Sequence, residues 1–201
     1  MISNAWVWKS ELGKELAIFD EFIHKADFFP KSSSDDDDYV YLQLEKFFFI
    51  VAFLIRKLHE SNKLSDELIA MTIPVIKHQR LNNTEKIAYF NKEDLSRFYD
   101  LENGVQASLS VIDLCNILIH SFNFLPAFEE DFEQGQTKFV GVIANSDRSK
   151  NKAIYYLMLH DFINLVKEVI NDNILSTSYN SESGKYKKSR NHHEESIGFF
   201  I

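Results

Sequence analysis

Apolar positions recur with a helical period through much of the first 123 residues. Between Trp6 and Phe29, the residues Trp8, Leu12, Leu16, Phe19, Phe22 and Ile23 fall at the spacing of a helix with one buried face. Pro30 closes that segment. The polar run from Lys31 to Asp38 reads as a solvated linker whose carboxylates favour the helix start that follows. It lacks the alternating spacers and the glycine of an EF-hand loop. From Tyr39 to Ser61, Leu44, Phe47, Phe48, Val51, Leu54, Ile55 and Leu58 form a wide apolar stripe. Phe49, Ile50 and Phe53 leave little of that helix for water, which places it centrally.

Asn62 interrupts the pattern, and Leu64 to Thr72 fits a short helix or an extended piece. Ile73 to Asn91 is ambiguous: Pro74 disfavours a helix interior, and Glu85 to Phe90 fits a short strand. Lys92 to Leu101 predicts a helical turn or two, closed by Asn103-Gly104. Ser108 or Ser110 can cap a helix running to about Asn123, before Pro126, with Leu109, Ile112, Cys115, Ile119 and Phe122 on its apolar face. Lys138 to Ala144 and Ala153 to Leu159 are β-prone and flank a polar stretch, which predicts a hairpin with a long loop. Asp161 can cap a last helix bearing Phe162, Leu165, Val166, Val169 and Ile170. Beyond Ile174 the chain turns polar. The expected architecture is mainly α, a helical bundle with a small β-hairpin near 138–159. It occupies one domain, 1–174, followed by a flexible tail, 175–201.

Composition narrows the function classes. The 201 residues carry 22 Lys and Arg against 30 Asp and Glu, a net charge of −8. That balance argues against a broad nucleic-acid surface, so DNA is not an expected partner. Eighteen phenylalanines and 45% hydrophobic residues supply a sizeable core. The N-terminus shows no secretory signal pattern. The longest apolar run, Phe47 to Ile55, spans about 13 Å as a helix, well short of a bilayer. A cytoplasmic chain without membrane contact is the expectation.

Most catalytic signatures are missing. The sequence holds no glycine-rich phosphate loop, no G-x-S-x-G elbow and no H-E-x-x-H pair, and Cys115 is its one cysteine. His192-His193-Glu194-Glu195 falls in the polar tail, which cannot preorganise a metal. No metal or cofactor is expected.

One segment carries chemistry. On a helix, Asp113, Asn116 and His120 stand at i, i+3 and i+7, with Asp113 and His120 within about 20° of each other. The polar stripe is either a hydrogen-bonded structural network or a functional site with His120 as the acid–base group. Arg56 and His59, one turn apart with Lys57 between them, could add positive charge. Their simpler role is to complement the carbonyl end of their own helix.

Cys115-Asn116-Ile117-Leu118-Ile119-His120 resembles the R-N-x-x-x-H motif of the HEPN superfamily, with Cys115 in place of the motif arginine. The resemblance implies a helical bundle, often dimeric. It also implies metal-independent cleavage of RNA, as in bacterial toxin and phage-defence systems, with Asn116 and His120 in the site. A thiol offers neither the fixed charge nor the bidentate fork of arginine, and Arg56 is the candidate to replace it.

Two functional expectations lead, ahead of a third, a small-molecule sensor with a pocket along the polar stripe. The first is a non-catalytic helical module that binds a protein partner or itself, as a homodimer. The second is a HEPN-like ribonuclease or RNA-binding protein. In it, His120, Asn116 and Arg56 would be catalytic, and Asp113, His59 and Lys57 would contact RNA or another ligand.

Overall fold

Helix α2 (Ser34–Glu60) lies at the centre of the main apolar cluster, with Leu44, Phe48, Val51, Ala52, Ile55 and Leu58 fully buried. The computed structural model describes residues 4–25, 34–82, 85–131, 136–181 and 184–190. Helix α1 (Ala5–Lys25) precedes α2, and a four-residue helix, α3 (Asp66–Ile69), follows it. Phe19 of α1 stacks on Phe47 at 3.7 Å, and Phe48 stacks on Phe162 at 4.5 Å. Such ring pairs use much of the phenylalanine content as interlocking core surface.

The expectation of a helical bundle is overturned by an antiparallel sheet of five strands in the order β2-β1-β5-β4-β3. These are β1 (Thr72–Gln79), β2 (Val105–Ser110), β3 (Ser121–Asp131), β4 (Gln136–Ser146) and β5 (Ala153–Met158). A four-residue helix, α4 (Leu95–Phe98), precedes β2, while α5 (Val111–Ile119) joins β2 to β3. Helix α6 (Leu159–Asn171) follows β5. The β-prone runs at 138–144 and 153–159 do pair, but as two inner strands of this larger sheet.

Each misread strand has a physical reason. Pro74 lies where β1 has β2 alone beside it, because pairing with β5 begins at Ile76. Pro126 lies on β3, an edge strand. Proline is tolerated at both places because few ladder hydrogen bonds are lost. The single helix expected from Ser108 to Asn123 is three elements: the end of β2, α5, and the start of β3. Ser110 is its true cap, accepting from the Asp113 backbone N–H.

The sheet has helices on one face and an irregular segment on the other. Val142, Ala144 and Leu157 join the cluster formed by α1, α2, α5 and α6. Ile154 faces Ile87, Leu95, Phe98 and Tyr99 instead, as strand alternation requires, and Phe122 joins them where the β3–β4 register shifts between Ser121 and Asn123. Gly141 is needed on β4, since a Cβ there would lie 2.2 Å from the Leu157 carbonyl oxygen. Residues 176–189, read from composition as part of a tail, form a second sheet of β6 (Ser176–Asn180) and β7 (Lys185–Ser189). The His192–Glu195 cluster lies outside the described residues. No helix among the described residues is long and apolar enough to cross a membrane.

Candidate functional site

The C-terminal turns of α2 pack beside α5, and this brings three separated side chains together. Val111, Leu114, Cys115, Ile117 and Leu118 bury one side of α5, so the opposite side must carry its polar residues. Asn116 is half-buried there, and His120 is exposed at the C-cap. Arg56 reaches across from α2. Its Nη1 donates to Asn116 Oδ1 at 2.6 Å and lies 3.3 Å from His120 Nε2.

Arginine is only a donor, so this geometry assigns the lone pair to His120 Nε2 and the ring proton to Nδ1. Arg56 Nε donates to Glu60 Oε1 at 3.0 Å, which holds the guanidinium plane. Nη2 has no hydrogen-bond partner among the described residues. The arrangement therefore presents an oriented cation, an open donor edge and an imidazole lone pair at one accessible place. With one-third of the Arg56 side chain exposed, a solute can reach it.

The remaining candidates divide. Lys57 Nζ pairs with Glu60 Oε2 at 2.8 Å and lies over the Phe53 ring, so it adjoins Arg56 through a shared carboxylate. Those two cations, Lys57 and then Arg56, hold the exposed Glu60 carboxyl below its ordinary range. Glu60 had no part in the sequence reading, although its i+4 spacing from Arg56 was a legible signal. Asp113 instead completes the cap of α5, accepting from Ser110 Oγ at 2.7 Å. His59 turns elsewhere: its Nδ1 is buried without a hydrogen-bond partner among the described residues, and burial, aided by Lys188, lowers its pKa. Cys115 is fully buried, and burial pushes its thiol up to about 12. The position matching the motif arginine therefore faces the core.

A second polar cluster was not anticipated from sequence. Asp172, just past α6, is fully buried. It accepts from Ser65 N at 2.9 Å, from Ser65 Oγ, and from Arg190 Nε at 2.6 Å. Lys9 Nζ donates to its backbone carbonyl and lies 3.8 Å from Oδ2. Arg190 Nη1 also pairs with Glu168 at 2.8 Å. These contacts join α1, α6, the start of α3 and the end of β7. Nothing in the periodicity of any one segment marks them, because each contributes a single polar residue.

Among the described residues, no group of three or more His, Cys, Asp or Glu side chains is placed to hold a metal ion. Comparison with family models, curated proteins and solved structures finds no match.

Proposed function

We propose that Arg56, Asn116 and His120 form a site that binds and cleaves RNA. The observation that carries this reading is the Arg56 guanidinium held between Asn116 Oδ1 and His120 Nε2. It rests on these three residues, not on a helical-bundle fold. A phosphodiester entering the site would take the open edge of the Arg56 fork, which matches phosphate oxygens. Engaging the guanidinium frees the His120 lone pair to accept the 2′-hydroxyl proton. The 2′-oxygen then attacks phosphorus and the P–O5′ bond breaks. The proton taken up by His120 is returned, through water, to the leaving 5′-oxygen, giving a 2′,3′-cyclic phosphate and a 5′-hydroxyl. Arg56 stabilises the charge on the phosphoryl oxygens as it grows.

A separate patch of exposed rings, on the sheet face opposite α2 and α5, offers stacking surface for single-stranded RNA. Phe122, two residues beyond His120, has its ring 5.2 Å from that of Tyr89. Tyr89 and Phe90 are strongly exposed, and Lys92 sits over the Tyr89 ring. Exposed rings beside cations are the usual platform for unpaired bases. The test is incubation of end-labelled single-stranded RNA with the protein and with its Arg56→Ala and His120→Ala variants. Cyclic-phosphate products that vanish with either variant support the reading. Intact RNA and no retarded complex with folded wild-type protein would overturn it.

A second reading, a module that binds its own copy, is favoured by one observation. Tyr39, Leu42 and Phe53 share one face of α2 by their spacing and are 58, 56 and 46% exposed. Sedimentation of wild type against Leu42→Lys with Phe53→Lys tests it. A dimer that the double variant splits supports self-association, and a wild-type monomer across the micromolar range removes it.

A further inference from the structure

A cavity of about 600 Å³ opens between the start of α1, the α2–α3 turn, the end of α6 and the β6–β7 hairpin. Its volume falls within the range of small-molecule sites. Lys9, Lys63 and Lys188 line it against a single carboxylate, Asp172, an inversion of the chain's net charge of −8. Trp6 and Tyr186 also line it and are 73 and 63% exposed.

Local structure places these groups. Asn62 takes a positive φ of 57°. The N–H groups of Asn62 and Lys63 close back on the His59 and Leu58 carbonyls at 2.9 Å each. This is the left-handed termination that ends a helix, and it delivers Lys63 to the cavity wall. Lys63 Nζ has no partner among the described residues. Lys188 is anchored by its backbone N–H to Asp66 Oδ2 at 3.0 Å, and its Nζ reaches Asn62 Oδ1 at 3.3 Å and lies 3.9 Å from Asp66 Oδ1. Lys9 is 8% exposed and tied to Asp172. Lys9 and Lys188 are therefore oriented by the fold before any ligand arrives, and Lys63 brings an ammonium free to engage one.

We infer that this cavity is a binding site for a nucleoside phosphate, its phosphate held by Lys63 and Lys188 and its base set against Trp6 and Tyr186. An open cavity with cations on its wall selects an anion. Exposed rings beside it select an anion that also carries a planar group. The site is separate from the Arg56–His120 pair and does not depend on the function proposed for it.

The test is calorimetric titration of the full chain with AMP, adenosine and inorganic phosphate, with tryptophan fluorescence recorded alongside. AMP should bind and alter the emission, while adenosine and phosphate, each lacking half of the recognition, should bind at least about tenfold more weakly. Lys63→Ala should weaken AMP by about tenfold, the loss of one charge-assisted contact. Trp6→Ala should weaken it too. Both residues lie outside the core, so the fold should survive, and thermal melting verifies that. Binding that disappears in His120→Ala would place AMP at the other site and overturn the inference. So would AMP binding indifferent to both Lys63→Ala and Trp6→Ala, or no AMP binding by folded protein at millimolar concentration.

Discussion

Arg56 and Asn116, sixty positions apart, meet at 2.6 Å through Nη1 and Oδ1. The contact joins the end of α2 to the polar side of α5, with His120 as the third member at 3.3 Å. His120 is exposed, so His120→Ala should change stability by no more than about 0.5 kcal/mol. If it is the proton acceptor, RNA cleavage should fall about 10²–10⁴-fold. Arg56→Lys should fail to restore what Arg56→Ala removes, because a point charge cannot span Glu60 and Asn116 at once. Rates of cyclic-phosphate formation, set beside urea midpoints, separate the two effects. A large stability loss in His120→Ala with unchanged cleavage would make the group structural.

Restoring the motif arginine should harm the protein. Cys115 is fully buried in the main cluster, and an unpaired guanidinium there has no route to water. Cys115→Arg should therefore lose the cooperative unfolding transition or a large part of the stability. With its thiol pushed up to about 12 by burial, Cys115 should resist alkylation at neutral pH until the chain is unfolded. A stable, more active Cys115→Arg would show that this position opens into the site.

His59 supplies a pH dependence whose sign can be worked out. Burial, and then Lys188, hold its pKa below the ordinary histidine value of 6.5. The unfolded chain therefore binds more protons there than the folded chain between the two values. Stability from this residue is full above 6.5 and declines as pH falls through that value towards the depressed one. His59→Asn should flatten the decline between neutral pH and the onset of carboxylate protonation. Urea midpoints at intervals across that window provide the measurement, and an unaltered slope would remove His59 as the source.

Asp172 should be the most sensitive carboxylate. It is fully buried, and its charge answers Lys9 and Arg190. Asp172→Ala leaves both cations without their shared partner and strips Ser65 of its acceptor, which should cost about 3–5 kcal/mol. Arg190→Ala should cost less, since that side chain is partly exposed. Truncation after Asn180 removes Lys188, Ser189 and Arg190 with β7, so it should lower the melting temperature measurably. A melting curve unchanged by that truncation would show that the hairpin adds nothing to the fold.

Local periodicity located the stripe from Leu44 to Leu58 and the face of α1, but not the helix ends: α2 begins at Ser34, inside the expected linker, and α6 at Leu159, which puts Asp161 in its first turn and not at its cap. The polar stripe of Asn116 and His120 was equally legible, because a helix converts sequence intervals directly into angles. The sheet was not. Thr72–Gln79 and Val105–Ser110 are mixed in composition, and a strand is stabilised by its neighbours more than by its own residues. Only tertiary structure could supply those neighbours, which lie from about thirty to eighty positions away in the paired registers. The same holds for the polar clusters. Arg56 was a named candidate, but its seat on Asn116 depends on how α2 packs on α5. Asp172 meets Lys9, Ser65 and Arg190 only because four distant segments end at one place, and no single segment records that convergence.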